Sequence, residues 1–379
     1  MHKVILITNI PTPYRLPLFK VLHEEFRTRG IDFKVIFGAL GYSRRKWQID
    51  MKDCTLSYEV LPTVRFRFAD PEKSSFTYSG LLNVLRRERP GIVVTNGFSV
   101  ATTKLWLLSF IRRTHYIIWS GAINPGRATD GLFRRLHRKL LVKRATGFVA
   151  YGTGARDYLV ALGAPTDRIQ IGINTVDTAY FGRERDASEE IRQADSNRKR
   201  VLFIGDLTPR KGADRLLKVV QLLAHRRQDF ILDLVGSGDQ RPELEQMTKE
   251  LGITNYVVFH GYKQKRELSQ YLNRATCFVF PTRHDIWGLV LVEAMAAGLP
   301  CVASIDAGAT WDLIREGETG CAADFADLDF VTDKLNWVLD HPDESRMMGR
   351  KARRFIEQEI TLKKSAEGFV AAIEKALSQ

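Results

Sequence analysis

Two carboxylates, Asp285 and Glu293, stand eight positions apart, with Ile286, Trp287, Gly288 and Leu289 directly after the first. Asp285 falls just before an expected helix, and Glu293 falls on its second turn. The first amides of a helix have no intrahelical partner, and the helix dipole adds partial positive charge at that end. Such a corner suits an anion. An acid near a helix N-terminus also satisfies the dipole without any ligand, which is how an isolated pair would read.

The surrounding elements argue for a site. CFVFPT, 277 to 282, is a short apolar run closed by Pro281 and predicts a buried strand. GLVLVEAMAA predicts a helix, stopped by Gly298 and Pro300, and CVAS predicts the next strand. Together they make a right-handed βαβ unit. Asp285, Ile286 and Trp287 then lie at the carboxyl end of its first strand, where a doubly wound sheet binds ligands.

The same alternation runs through the chain and predicts an α/β protein. KVILITNI is a strand followed by a proline-bearing loop that carries Tyr14 and Arg15 to the ligand edge. GIVVTNG ends at Asn96 and Gly97, and THYIIWSGA ends at Ser120 and Gly121, while His115 opens its strand and belongs at the opposite end. Residues 184 to 199 are polar and charged, marking a boundary between a domain at 1–183 and another at 200–360. The second half repeats the plan. RVLFIGDLTPRKGADRLLKVV places Gly205, Arg210, Lys211 and Gly212 in a loop after its first strand. FILDLVGSG follows with Gly236 and Gly238 at a strand edge, and YVVFHGYK with Tyr262 and Lys263 just past one.

The segment from Asp285 through Glu293 to AMAAGLP resembles the signature of the retaining nucleotide-sugar glycosyltransferases of family 4. The family pattern has two glutamates here, and this chain has aspartate at the first. The resemblance implies the GT-B fold, two Rossmann-like doubly wound domains facing across a cleft. It covers about 198 to 360 closely and the first 180 residues loosely, and it implies that the last helix, 361–379, packs back onto the first domain. It further implies that Glu293 bonds the donor ribose, that Asp285 contacts the transferred sugar, and that the Trp287, Gly288 and Leu289 amides hold phosphates. Lys211 and Gly212 match the family's diphosphate-binding pair, whereas Asp206 replaces an arginine of the pattern. Arg210 is the candidate to compensate. Gly205, Gly236, Ile286 and the backbone at Tyr262 and Lys263 complete the implied donor site, the last two reading the nucleobase. Asp285, Glu293 and Lys211 are the candidate catalytic residues, and Tyr14, Arg15, Asn96 and Ser120 the candidate acceptor contacts. No catalytic histidine carries over at Ser120. The implied reaction uses no cofactor and no metal. Asp327 and Asp329 spell a metal-binding pair of other transferases but fall beyond the sixth strand, at the surface.

Composition narrows the partners. The 379 residues suggest two or three domains, and 44% hydrophobic content allows sizeable cores. Cys54, Cys277, Cys301 and Cys321 have no metal-ligand spacing and imply a reducing compartment. MHKVILITNIPTPYRL reads as a first strand, not a signal peptide, and no run approaches the ~18 apolar residues that span a bilayer. A cytoplasmic protein is expected.

The formal charge of +13 is unevenly placed, since residues 1–180 alone carry +15. That half expects an anionic partner. Residues 41–79 interleave Arg44, Arg45, Trp47, Arg65, Phe66, Arg67 and Phe68. Helix 131–146 sets Leu132, Leu136 and Leu140 among Arg134, Arg135, Arg138, Lys139 and Arg144. It reads either as a core-facing helix with a solvated basic face or as a surface attracted to anionic lipid. The preferred acceptor is a saccharide or a polyprenyl diphosphate-linked one at the inner membrane face, with no nucleic acid. The rival reading is a non-catalytic or RNA-binding protein that retains the fold. A glycan phosphorylase would need a segment for a pyridoxal phosphate lysine, which the chain lacks.

Overall fold

The computed structural model describes residues 2–41, 51, 55–63, 65–67, 74–111, 114–124, 131–186 and 198–378. The chain forms two compact units, Met1–Val176 with Leu362–Gln379, and Asp177–Thr361. In the first unit the strands are β1 (Lys3–Thr8), β2 (Asp32–Phe37), β3 (Tyr58–Val60), β4 (Arg65–Arg67), β5 (Ser74–Phe76), β6 (Ile92–Asn96), β7 (Tyr116–Ser120), β8 (Gly147–Ala150) and β9 (Ile169–Ile171). Seven of them make one parallel sheet in the order β3-β2-β1-β6-β7-β8-β9, while β4 and β5 pair separately as an antiparallel hairpin. The core strands are continuous apolar runs because helices cover both faces of a parallel sheet. Val4, Ile5, Leu6 and Ile7 of β1 are almost wholly buried.

The C-terminal helix Leu362–Leu377 belongs to this first unit and packs on β8, β9 and helix Leu16–Thr28. Helix Leu16–Thr28 buries Leu18, Phe19, Leu22 and Phe26, spaced at about one helical turn. Phe369 of the C-terminal helix sets its ring edge against Trp119 at 5.1 Å.

The second unit holds β10 (Lys199–Ile204), β11 (Phe230–Val235), β12 (Val257–Gly261), β13 (Cys277–Phe280), β14 (Cys301–Ser304) and β15 (Cys321–Ala323). They form a six-stranded parallel sheet in the order β12-β11-β10-β13-β14-β15. Residues 177–183, expected with the first domain, lie in this unit. Helix Thr178–Asp186 packs on helices Lys265–Arg274, Leu289–Ala296 and Pro342–Glu359. Most of the expected linker falls outside the described residues.

Strand order reverses between β1 and β6 in one sheet and between β10 and β13 in the other. At each reversal the connections run to opposite sides and leave a crevice at the carboxyl strand ends. Of the two readings of helix Leu132–Arg144, the core-facing stripe is absent. Leu132, Phe133, Leu136 and Leu140 are exposed, and only Leu141 and Val142 are buried. No described helix is long and apolar enough to cross a membrane. Arg44, Arg45, Trp47 and Phe68 lie outside the described residues, and only the backbone is described for Arg65–Arg67.

Candidate functional site

In the second unit, β10 and β13 run side by side, with Val201 opposite Cys277 and Leu202 opposite Phe278. The loops that leave their carboxyl ends therefore adjoin at the reversal. Lys211 Nζ donates to Asp285 Oδ2 at 2.6 Å, and Arg210 Nη1 lies 3.4 Å from the same oxygen. Arg210 also donates to the His284 carbonyl at 3.1 Å. Asp285 is 9% exposed. Burial alone would push its carboxyl up, but Lys211 and then Arg210 outweigh that and hold it below the usual carboxylate range. Its backbone is fixed as well: its amide donates to the Asp306 carbonyl, and its carbonyl accepts from the Gly308 amide.

Two glycines are dictated by close approach. Gly236 has φ +149°, and a Cβ there would stand 1.8 Å from the Gly205 carbonyl oxygen. Gly288 has φ +108°, and a Cβ there would stand 2.5 Å from the Phe280 ring. The second glycine lets helix Leu289–Ala296 start directly above the end of β13. Trp287 is buried, and its amide donates to Asp285 Oδ1 at 3.4 Å. Of the three amides expected to hold phosphate, this one is taken by Asp285, which leaves those of Gly288 and Leu289. Ile286 is exposed at the loop tip.

Glu293 stands on the second turn of that helix, partly buried. Among the described residues none donates a hydrogen bond to its carboxylate. Burial pushes it up to about 7, with Lys265 pulling the other way. A carboxylate in that state is suited to hydroxyl donors brought by a ligand. Tyr262 bonds Gln264 through its hydroxyl at 3.4 Å, and Lys263 pairs with Glu267 at 3.5 Å, so both side chains are engaged locally.

Arg283 escaped the sequence reading. Its guanidinium makes two bonds to Asp214, at 2.7 and 2.5 Å, and one to the Pro209 carbonyl at 2.6 Å. Its amide donates to the Arg210 carbonyl at 2.8 Å. It thus clamps the loop that carries Arg210 and Lys211. Its place after β13, two residues before Asp285, is the only signal the sequence offers.

In the first unit, Arg15, Asn96 and Ser120 come to the carboxyl strand ends as expected, but Arg15 and Asn96 meet through a residue not foreseen, Tyr151. Arg15 Nη2 donates to the Tyr151 hydroxyl at 2.5 Å and Nη1 to Thr8 Oγ1 at 3.1 Å, and its guanidinium lies 4.6 Å above the Trp119 ring. The Tyr151 hydroxyl points to Asn96 Oδ1 at 3.5 Å, and burial pushes that hydroxyl's pKa up. Ser120 is 1% exposed, and its Oγ accepts from the Ala122 amide at 3.1 Å. Arg15 is therefore an organiser of this corner, with both terminal nitrogens already committed. Tyr14 is partly buried beside it. Asp327 caps helix Leu328–Asp340 by accepting from the Phe330 amide at 3.1 Å.

Residues 184–355 match the family model described as glycosyl transferases group 1, and residues 20–172 match the glycosyl transferase 4-like domain. A GDP-mannose-dependent alpha-(1-6)-phosphatidylinositol monomannoside mannosyltransferase from Mycolicibacterium smegmatis is 32% identical over 48% of this chain and 49% of its own length. An MMP alpha-(1->4)-mannosyltransferase from Mycolicibacterium hassiacum is 30% identical over 68% of this chain and 64% of its own. The chain spans about half the length of the curated relatives it matches. The structure of Anabaena Alr3699/HepE in complex with UDP covers 99% of this chain and 100% of its own, with TM-score 0.78 at 16% identity.

Proposed function

Since the chain belongs to the glycosyltransferases of family-4 type and GT-B fold, we propose that it moves a sugar from a UDP- or GDP-sugar to a saccharide or polyprenyl diphosphate-linked acceptor. The transfer retains anomeric configuration and serves polysaccharide or glycolipid synthesis. The observation that carries this reading is the Lys211–Asp285 pair at the sheet reversal, followed eight positions on, along the next helix, by a Glu293 that no described residue bonds. Lys211, Arg210 and the Gly288 and Leu289 amides hold the donor diphosphate, and Glu293 holds the ribose hydroxyls. Arg210 stands in for the arginine that Asp206 replaces.

Asp285 meets the transferred sugar. As the acceptor oxygen bonds the anomeric carbon, the bond from that carbon to the diphosphate breaks. The acceptor's proton passes to the leaving phosphate oxygen on the same face. Hydrolases that retain configuration use a carboxylate nucleophile; here the cations stabilise the leaving charge instead. They supply it without a metal, so transfer should persist in excess EDTA.

Tyr14 and Asn96 are assigned to the acceptor side, while Arg15, Tyr151 and the buried Ser120, each bonded within the protein, hold that corner in place. The excess of +15 in residues 1–180 favours an anionic acceptor or surface at the inner membrane face. A thermal-shift panel of UDP- and GDP-sugars tests the reading, because a ligand at 100 times its dissociation constant adds ~2.7 kcal/mol. NMR of the product then reads its anomeric configuration. Inversion, or no shift with any nucleotide sugar, defeats it.

A further inference from the structure

Two neighbouring elements of the first unit leave their apolar side chains in water. On helix Leu132–Arg144, Leu132 is 80% exposed and Phe133 88%. Leu136 and Leu140 are exposed on the same helix. At ~100° per residue these four fall within an arc of roughly 100°. Lys143 falls inside that arc, and Lys139 and Arg135 run along one border; all three are exposed. The second element is the turn that ends helix Val100–Leu108, where Leu107, Phe110 and Ile111 are exposed, Ile111 at 82%. Arg144 joins the two. It donates to the Ser109 hydroxyl and carbonyl at 2.7 Å each, and its guanidinium lies 4.1 Å above the Phe110 ring. Thr103 and His137 meet at 3.1 Å and hold the helices together. Arg138 points the other way, bonded to the Tyr158 hydroxyl at 2.5 Å, and adds nothing to this face.

We propose that this two-element face inserts into the headgroup region of an anionic phospholipid bilayer. It rests on the reading above only in that a lipid-linked acceptor gives it a purpose. The chemistry is complementary in two ways. The apolar side chains gather on two adjoining elements rather than lying scattered singly, and such a grouping marks an interaction or membrane site. Cations interleaved with them are what an interfacial helix presents to acidic headgroups. A nucleic acid would use the cations and leave Leu132, Phe133, Phe110 and Ile111 without a role. A second copy of the chain would bring Arg135, Lys139 and Lys143 against cations of the same kind.

The test is co-sedimentation with phosphatidylcholine vesicles, with and without phosphatidylglycerol, in the absence of any nucleotide sugar. The wild type should bind the anionic vesicles and ignore the neutral ones. The double variant Phe133→Ser/Ile111→Ser should lose at least tenfold in vesicle affinity. Arg135→Ser/Lys139→Ser/Lys143→Ser should lose about fivefold per cation. Both variants should keep the wild-type melting temperature and its thermal shift with the preferred nucleotide sugar. Wild type that fails to sediment, or a double variant that sediments as well as wild type, overturns the proposal. So does a wild-type dimer that the double variant dissolves, or RNA binding that depends on the same cations while vesicles are ignored. Donor binding is read separately, so its failure would count against the transferase reading and leave the vesicle result standing.

Discussion

At the residue scale, Glu293 carries a cost that a ligand would relieve. Its carboxyl is pushed up to about 7 by burial, against roughly 4.3 for an ordinary glutamate. With the folded value above the unfolded one, stability is fullest below pH ~4 and falls as pH rises to 7, because only the unfolded side chain ionises freely in that window. Glu293→Gln should therefore raise the melting temperature at pH 8, by an amount worth about 3–4 kcal/mol, and change it little at pH 4. It should also weaken the donor by about 1.5–3 kcal/mol through lost charged hydrogen bonds. A melting temperature unchanged at pH 8 would contradict the first effect, and unchanged donor affinity the second. Since hydroxyl donors favour the ionised form, wild-type donor affinity should drop as pH is lowered through 7, measured by titration calorimetry at pH 6 and 8.

Lys211 and Arg210 invite a direct contrast. The lysine lies closer to Asp285 and its side chain is less exposed, 14% against 31%. Lys211→Ala should cost ~10–100-fold in UDP or GDP affinity, the range of a charged hydrogen bond. Arg210→Ala should cost clearly less. A larger loss in the arginine variant would make Arg210 the main diphosphate ligand and Lys211 chiefly the partner of Asp285.

At the scale of elements, the site depends on how closely strands and loops approach. Gly236→Ala would force a Cβ onto the Gly205 carbonyl, which only a backbone shift can relieve. The shift would move the loop that carries Lys211. Donor affinity should fall, with a stability loss of about 1–3 kcal/mol. Gly252 shares a positive φ but has open space around it, so Gly252→Ala is the control for strain without collision. If both variants lose donor affinity equally, crowding is not the cause. Arg283 acts at the same scale, holding the Pro209–Lys211 turn by bonds to Pro209, Arg210 and Asp214.

At the scale of the whole molecule, the first unit is discontinuous in sequence. Leu362–Leu377 buries Phe369, Val370, Ile373 and Ala376 within it. Truncation after Thr361 should therefore unfold the first unit, because the apolar surfaces of β8, β9 and helix Leu16–Thr28 lose their cover. All the groups assigned to the donor lie in Asp177–Thr361, which is one continuous segment. Expressed alone, that segment should fold and bind UDP or GDP, seen as a thermal shift. A soluble segment that ignores both nucleotides would show that donor binding needs groups from the first unit.

The sequence by itself determined the core strands, because parallel strands covered on both faces are unbroken apolar runs such as VILI and CFVF, but not the short β3, β4, β5, β9 and β15, which have no such run. It also determined where helix Leu289–Ala296 begins and ends, since Gly288, Gly298 and Pro300 act on their own neighbours. The tertiary structure alone decided the partners. Lys211 and Asp285 are 74 positions apart and meet because the strand order β11-β10-β13 reverses between them. Arg15 reaches Tyr151 across 136 positions for the like reason in the other sheet. Periodicity could place an apolar stripe on helix Leu132–Arg144 but not aim it. Which side of a helix meets the core is fixed by the neighbours that pack on it, and here Leu141 and Val142 took that side, leaving Leu132, Phe133, Leu136 and Leu140 in water.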